Sequence, residues 1–365
     1  MATLGFADLK NTALPSLWDE GEIIKARLAD GSTFEQMLGD LRMGLQVLNG
    51  ALLDMAHYAG LFAVQDEPEV EYHIGVTNGF EEATEYTAPD PRRGATTGHM
   101  LPLTPYDRGL GWTMMYLRKA RSIALDADVR SGVADAKDLW QQKLLTRMFL
   151  MEGETVGATS NASVPLADGG TTDSTYVPPK SPDGEAFTSA HDHFLRHAAI
   201  SDANLATAVE SLQEHGYLSP FDIVAARADA SSWTGLTGYK APDWPGIVYH
   251  ASGVERAAVG EVSVYFGYIE TDYGICRLWL TPRVPTNYYS VFKSYGAGDP
   301  RNPLRVRISQ QVGFGFNLVP GLWVNAPGQM AVLYTEFGVG IGEDRTNGVC
   351  VYIAGSGDYV TPTIS

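Results

Sequence analysis

The chain has 365 residues, of which 44% are hydrophobic and 19% charged, a composition typical of globular proteins with a sizeable core. Its net charge of −17 argues against a surface that grips a phosphate backbone; it is compatible with solubility alone, or with a protein that surrounds nucleic acid without binding it tightly. The longest apolar stretches are too short to span a bilayer, and the first residues lack signal-peptide features. Two cysteines, Cys276 and Cys350, cannot form a disulfide framework, so we expect buried free thiols in a protein made in a reducing cytoplasm.

The first 67 residues divide into an aperiodic segment and a periodic one. Residues 1–32 have no sustained periodicity, which predicts an arm that lies along another surface. From Ser32 onward a helix is predicted, with Ser32 or Thr33 as N-cap and an end near Gly60. Its apolar residues recur at steps of three and four: Phe34, Met37, Leu38, Leu41, Leu45, Leu48, Leu52 and Met55.

Residues 68–111 change character. Residues 69–76 alternate like a half-exposed strand, residues 90–98 form a tip rich in Pro and Gly, and residues 99–104 are again extended. Two extended arms with so little apolar content predict a projecting hairpin that cannot stabilise itself in water. We therefore expect it to rest on a partner and to be mobile in the isolated subunit.

Residues 113–152 carry the strongest helical periodicity. A helix of this extent would be about 57 Å long, and Gly132 or residues 125–126 could divide it. The predicted apolar stripe contains Leu117, Ile123, Leu125, Val129, Val133, Ala136, Trp140, Leu144, Met148 and Met151. We expect Trp140 to be a buried anchor, and Gln141 and Gln142 to be exposed.

The second half of the chain is loop, one short helix and then mostly strand. Residues 153–190 are rich in Gly, Ser, Thr and Pro, which predicts loop with short strands. A helix is predicted from Asp202 as cap to a stop at His215 and Gly216, with Leu205, Val209 and Leu212 inside. Alternation and turn residues predict strands at 223–226, 247–250, 262–266, 275–281, 288–292, 304–308, 330–334 and 349–353.

Histidines form the most suggestive chemical cluster. His191 and His193 would share a face in a strand, His193 and His197 would share one in a helix, and a metal-dependent hydrolase would use such ligands. His215 is set aside for want of an acidic neighbour at ligand spacing. We interpret the cluster as hydrogen-bonding groups that fix a loop, and predict no metal ligand.

Other chemistry is not indicated by the sequence. The run from Gly338 to Gly342 lacks the spacing of a dinucleotide fingerprint and is interpreted as tight turns between strands. Neither cysteine has a basic neighbour that would activate it. We therefore predict a protein that is not an enzyme, with no catalytic residue and no cofactor.

Local sequence resembles that of one structural family. The segment LPLTPYD at 101–107, running into LGWT at 110–113, is similar to the return arm of an extended loop entering a spine helix. YVPP at 176–179 with FTSAHDHF at 187–194, and RVPTNYY at 283–289, are similar to further segments of the same proteins. The chain thus resembles the major capsid proteins of tailed bacteriophages, whose Hong Kong ninety-seven-type fold is shared with encapsulin shells.

The resemblance implies an α+β capsid fold with six segments. These are an N-terminal arm and helix at 1–67, an extended β-hairpin loop at 68–111, the peripheral-domain spine helix at 112–156, an α/β axial domain at 157–260, peripheral β-strands at 261–320 and a C-terminal β-segment returning to the axial domain at 321–365. It also implies self-assembly, through hexamers and pentamers, into an icosahedral head that encloses double-stranded DNA without sequence-specific binding. Portal, scaffolding and decoration proteins are the further partners implied, and the virion, after synthesis in the host cytoplasm, is the location.

Two alternatives remain open at this point. An encapsulin-like cargo shell shares the implied fold, and a metal-dependent hydrolase would use His191 and His193. A neighbouring terminase, portal and maturation protease in the genome would separate a phage protein from an encapsulin, and elemental analysis would test the hydrolase.

Overall fold

A computed structural model of the protein describes residues 31, 34–53, 60–74, 95–113, 116, 119, 121–155, 162–168, 176–179, 181–183, 187, 191–241, 264–322 and 328–364. Its helices are α1 (Phe34–Leu53), α2 (Ser122–Phe149), α3 (Asp202–Gln213) and the short α4 (Ala230–Thr234). None of these helices is long and apolar enough to cross a membrane. Residues 1–30 of the predicted arm, residues 90–94 of the predicted hairpin tip and the predicted strand at 247–250 lie outside the described residues, whereas residues 95–98 of that tip belong to a strand.

Strands make up most of the remaining structure. In chain order they are β1 (Phe62–Gln65), β2 (Glu69–Ile74), β3 (Ala95–Met100), β4 (Thr104–Thr113), β5 (Glu154–Thr155), β6 (Ala162–Ser163), β7 (Phe194–His197), β8 (Phe221–Ala226), β9 (Tyr239–Lys240), β10 (Val264–Thr271), β11 (Gly274–Thr281), β12 (Tyr288–Phe292), β13 (Leu304–Ile308), β14 (Asn317–Leu322), β15 (Gly328–Ile341) and β16 (Val349–Ile353). Strands β1, β7, β9 and β14 are not among those predicted from the sequence.

A five-stranded sheet is organised around the long strand β15. The strand order is β1-β13-β15-β14, and β4 pairs with β15 in an antiparallel register that runs from Thr104 opposite Phe337 to Thr113 opposite Gly328. Gly338 and Gly340 are needed inside β15, since a Cβ at Gly338 would lie 1.9 Å from the backbone oxygen of Pro102. The interpretation of these glycines as turns between strands is therefore wrong: they permit close backbone crossing.

A seven-stranded sheet has the order β7-β16-β12-β8-β11-β10-β9. The pairs β8–β11 and β7–β16 are parallel and the other pairs are antiparallel. One face is covered by α3 and α4 through Leu205, Val209, Leu212 and Trp233, as the periodicity of the α3 segment predicts. Strands between 264 and 308 are divided between the two sheets, so the segment predicted as peripheral strands at 261–320 does not form one layer; its assignment to domains stays a prediction.

Helix α2 lies between the two sheets. Trp140 packs against Phe62, Phe314 and Phe337 of the five-stranded sheet and its flanking loop, with ring centroids 4.9–5.7 Å apart. At the C-terminal end of the helix, Phe149 contacts Tyr288 of the seven-stranded sheet, with a centroid separation of 6.2 Å. The predicted burial of Trp140 is confirmed, and at 28 residues this helix is about 42 Å long.

The predicted extent and face of the spine helix need correction. Arg121 is extended at the N-cap and Trp112 and Thr113 belong to β4, so α2 begins at Ser122 and is continuous through Gly132. Ile123 is 71% exposed and does not belong to the buried stripe. Gln141 is buried and Gln142 is half-buried, so the expectation that both are exposed is wrong.

The shorter elements agree better with their predicted boundaries. Helix α1 buries Leu45, Leu48 and Leu52 and packs on α2. For α3 the N-cap is Ser201, whose hydroxyl accepts from the Asn204 amide, rather than the predicted Asp202. Gly216, with a φ of +89°, follows the end of that helix as predicted.

Candidate functional site: hairpin base, apolar end and histidine cluster

The base of the hairpin rests on its own chain. Strands β2 and β3 pair antiparallel, with Glu69 opposite Met100, and the Leu101 amide donates to Pro68 O at 2.8 Å. Val70 and Leu101 are buried at this base. The expectation that the whole segment rests only on a partner is therefore wrong for its base, and it stays a prediction for residues 75–94, which lie outside the described residues.

Buried polar groups set the direction in which the hairpin leaves the body. The Arg345 guanidinium lies 4.4 Å from the centre of the Tyr176 ring, which contacts the Tyr72 ring edge to face at 5.7 Å. Arg345 Nε also donates to Pro165 O at 3.1 Å. These contacts join the hairpin, the loop at 162–168 and the turn before β16, so the base is fixed relative to the seven-stranded sheet.

His99 is the titratable group of this base. Its Nε2 donates to Ile341 O at 2.9 Å, and burial lowers the pKa of His99 to about 4, with the nearby guanidinium groups lowering it further. The imidazole is therefore neutral at pH 7.

Exposed apolar side chains mark one end of the seven-stranded sheet, where β8 and β11 begin. Leu218 is 71% and Ile275 45% exposed. Ser219, between Leu218 and β8, accepts from the Ile275 amide at 2.9 Å, so the two apolar residues are neighbours. We call Leu218 and Ile275 the apolar end of the sheet.

A cluster of three imidazoles lies at the same end of the sheet. His191 and His193 are two residues apart on the extended lead-in to β7, so their rings fall on one face, and His215 follows α3. His215 Nε2 lies 3.1 Å from His193 Nε2 and 3.2 Å from His191 Nε2. His193 Nδ1 donates to Gly348 O at 2.7 Å, so this ring carries its proton on Nδ1 and its Nε2 lone pair faces the other two rings.

Burial keeps these imidazoles neutral. Removal from water lowers the pKa of His193 to about 3 and that of His215 to about 2, and it also lowers the pKa of His191, which the Glu214 carboxylate partly opposes. Glu214 Oε2 lies 3.7 Å from His191 Nε2. The three neutral rings therefore place nitrogen lone pairs close to the carboxylate of Glu214.

The sequence analysis identified part of this cluster. It paired His191 with His193 correctly as residues of one face, but the structure does not bring His197 into the group, since the three rings that meet are His191, His193 and His215. His215 was set aside for lacking an acidic neighbour, which is wrong because Glu214 precedes it and reaches the cluster. The available signal was the pair Glu214-His215 at the end of a predicted helix.

The two thiols are buried in the seven-stranded sheet. Burial raises the pKa of Cys276 to about 12 and that of Cys350 well above its usual value. Such thiols are poor nucleophiles at neutral pH.

Comparisons with known proteins identify the fold. No family model and no curated protein sequence matches the chain. It is similar to a solved structure from Mycobacterium phage Patience, with a TM-score of 0.63 and 20% identity over 96% of each chain. Lower similarity is found to the capsid structure of cyanophage P-SCSP1u (TM-score 0.47, 10% identity, 81% of this chain and 87% of that one) and to the holo-SrpI encapsulin complex of Synechococcus elongatus (TM-score 0.40, 7% identity, 82% and 88%). The chain has the Hong Kong ninety-seven-type α+β fold, as its local sequence predicts.

Proposed function

We propose that this protein is the major capsid protein of a tailed phage, which self-assembles through hexamers and pentamers into the icosahedral head around double-stranded DNA. The observation that carries the proposal is the similarity of fold over 96% of both chains to a structure from a phage. In this proposal the protein is a structural component of the virion, made in the host cytoplasm, with no enzymatic activity. Portal, scaffolding and decoration proteins are its further partners.

The subunit has the mechanical parts that a shell requires. Helix α2 joins the two sheets through the aromatic contacts of Trp140 and Phe149. The apolar end, Leu218 and Ile275, leaves side chains in water that a neighbouring subunit would cover. Such contacts bury apolar surface only in the assembly, where each subunit forms several interfaces with its neighbours.

The charge of the chain fits a container better than a DNA-binding protein. With 43 acidic and 26 basic residues, the net charge of −17 disfavours binding to a phosphate backbone. We infer that the closed shell encloses the genome without sequence-specific contacts to it.

Sedimentation of the purified full-length chain tests the proposal. We expect capsomers or larger shells for the native chain, and a shift toward monomer for Leu218→Asp, because a charge at a covered apolar contact disrupts association. Leu218 is largely exposed in the subunit, so the thermal midpoint of the unassembled variant should equal that of the native subunit. Leu218→Met, which keeps the apolar contact, is the control and should assemble normally.

An encapsulin-like cargo shell is the second candidate, favoured only by the shared fold. The genome neighbourhood separates the two, as terminase, portal and maturation-protease genes beside this one indicate a phage.

A further inference from the structure

The three imidazoles have a geometry that hydrogen bonding among themselves explains poorly. His215 Nε2 is within 3.2 Å of two other ring nitrogens, and His193 Nε2 has no proton because Nδ1 donates to Gly348 O. If His215 Nε2 carries a proton, that proton can point well at only one neighbour. The nitrogen of the other neighbour then faces the His215 Nε2–H group without receiving a well-directed hydrogen bond from it.

A tetrahedral metal ion fits the same positions. Zinc–nitrogen bonds of about 2.0–2.1 Å separate two ligand nitrogens by about 3.3 Å, close to the 3.1 and 3.2 Å found here. One ring nitrogen from each of the three histidines lies within 4.8 Å of the other two. The hydrogen bond from His193 Nδ1 to a backbone carbonyl is the outer contact that typically orients a metal-binding imidazole.

We propose that His191, His193 and His215 bind one zinc ion through their Nε2 atoms, with the Glu214 carboxylate as the fourth ligand. Glu214 Oε2 is 3.7 Å from His191 Nε2, and its side chain is 51% exposed and so free to move onto the ion. Neutral imidazole and carboxylate are ligands that zinc prefers. This departs from the expectation that the chain has no metal ligand.

The ion would act as a structural cross-link within the subunit. It joins the lead-in to β7, the end of α3 and, through Gly348 O, the turn that precedes β16. These three segments converge at the end of the seven-stranded sheet that carries Leu218 and Ile275. The site belongs to the folded chain and does not depend on whether the protein forms shells.

Metal content is the first test. Full-length protein expressed in zinc-supplemented medium and purified without chelator should contain one zinc per chain by elemental mass spectrometry. After chelation and replacement by Co²⁺, the visible absorption should have the intensity of a tetrahedral complex. A chain that retains no zinc and gives a cobalt spectrum of the hydrated ion would overturn the proposal, and would mean that the imidazoles only hydrogen-bond to one another.

Matched substitutions locate the ligands. His191→Gln and His215→Gln should each weaken zinc binding by more than about 100-fold, since outer-shell partners alone contribute 10- to 100-fold. His197→Gln, which changes a half-buried histidine on the neighbouring strand, should bind zinc like the native chain. Equal binding by all three variants would exclude this site.

Two further measurements complete the test. Zinc should raise the thermal midpoint of the native chain and of His197→Gln by several degrees, but not that of His191→Gln. Glu214→Gln should weaken zinc binding by about tenfold, comparable to the loss of an oriented partner. An unchanged affinity in Glu214→Gln would remove Glu214 from the ligand set.

Discussion

Two neighbouring stretches in the C-terminal half of helix α2, around Trp140 and around Arg147, lie in very different surroundings. Around Trp140 the contacts are aromatic and aliphatic, with Phe62, Phe314 and Phe337 packed about one indole. Around Arg147 the helix meets a polar junction of three buried guanidinium groups, Arg147, Arg305 and Arg345. The region around Trp140 stabilises the fold by burying apolar surface, whereas the hydrogen bonds of the polar junction fix the positions of the loops that it joins.

The polar junction shows why the direction of the hairpin is specific. Arg147 donates to Val164 O and lies 3.6 Å from Glu154 Oε2, and burial lowers its pKa to about 10. Arg305 donates to Glu343 at 3.1 Å. Each guanidinium donates to a particular backbone oxygen or carboxylate, so a shifted loop would leave a buried charge without that partner, at a cost of several kcal/mol.

The largest effect is expected in the aromatic region. Trp140→Ala removes a fully buried indole and should lower the free energy of unfolding by about 3–5 kcal/mol, comparable to much of a domain's stability. Soluble yield and thermal midpoint of the unassembled subunit measure this. Trp140→Phe should lose much less, and an unchanged midpoint in Trp140→Ala would mean that α2 does not anchor the five-stranded sheet.

Arg345→Met tests the polar junction. It removes the hydrogen bond to Pro165 O and the contact with the Tyr176 ring, which should cost about 2–3 kcal/mol, because a buried acceptor loses its donor. Denaturant unfolding measures the loss. The control is Arg301→Met, an exposed arginine beside the same turn, which should shift the midpoint much less. If both variants lowered stability equally, the contacts of Arg345 would not be what stabilises the junction.

Acid should weaken the hairpin base through His99. Its pKa is about 4 in the folded chain against an ordinary 6.5, so the unfolded chain binds the proton more tightly. The stability contribution is complete above pH 6.5 and is lost as pH falls toward 4, by about 2 kcal/mol between pH 7 and pH 5.

His99→Gln isolates this effect from that of the other histidines. The imidazole faces the Tyr72 ring and the guanidinium groups of Arg147, Arg305 and Arg345. The difference in unfolding free energy between native and variant chains should shrink by about 2 kcal/mol on going from pH 7 to pH 5. A difference independent of pH would contradict the neutral, buried state of His99.

The smallest effects separate the two faces of α2. Gln142→Ala removes a hydrogen bond of 2.8 Å to Ile364 O and should cost about 1 kcal/mol, since it releases the C-terminal segment. Ile123→Ala, on the exposed face, should change stability by less than about 0.5 kcal/mol. Thermal midpoints rank the two, and the reverse order would mean that the faces of the helix are assigned wrongly.

Periodicity predicted the aromatic region and could not predict the polar junction. Leu125, Trp140, Leu144 and Met148 were correctly placed on the buried face because apolar residues at helical spacing bury one stripe. Gln141 was predicted to be exposed but is buried. Residue spacing along one segment cannot reveal which distant segments cover a second side of the helix.

Contacts between distant segments limited the prediction of the candidate site in the same way. His191 and His193 are neighbours in sequence, and the strand period alone put them on one face. His215 joins them from the end of α3, across 22 residues from His193, and only the fold brings it within 3.1 Å. Gly348, whose carbonyl accepts the hydrogen bond from His193, is more distant still in sequence, at 155 residues from His193.

Electron microscopy of the purified full-length chain, alone and with the scaffolding protein that the proposed function implies, tests the central claim most directly. If the protein is a shell subunit with this fold, negative staining should show closed shells, tubes, or hexameric and pentameric capsomers. A monodisperse monomer at high concentration under both conditions would contradict the account.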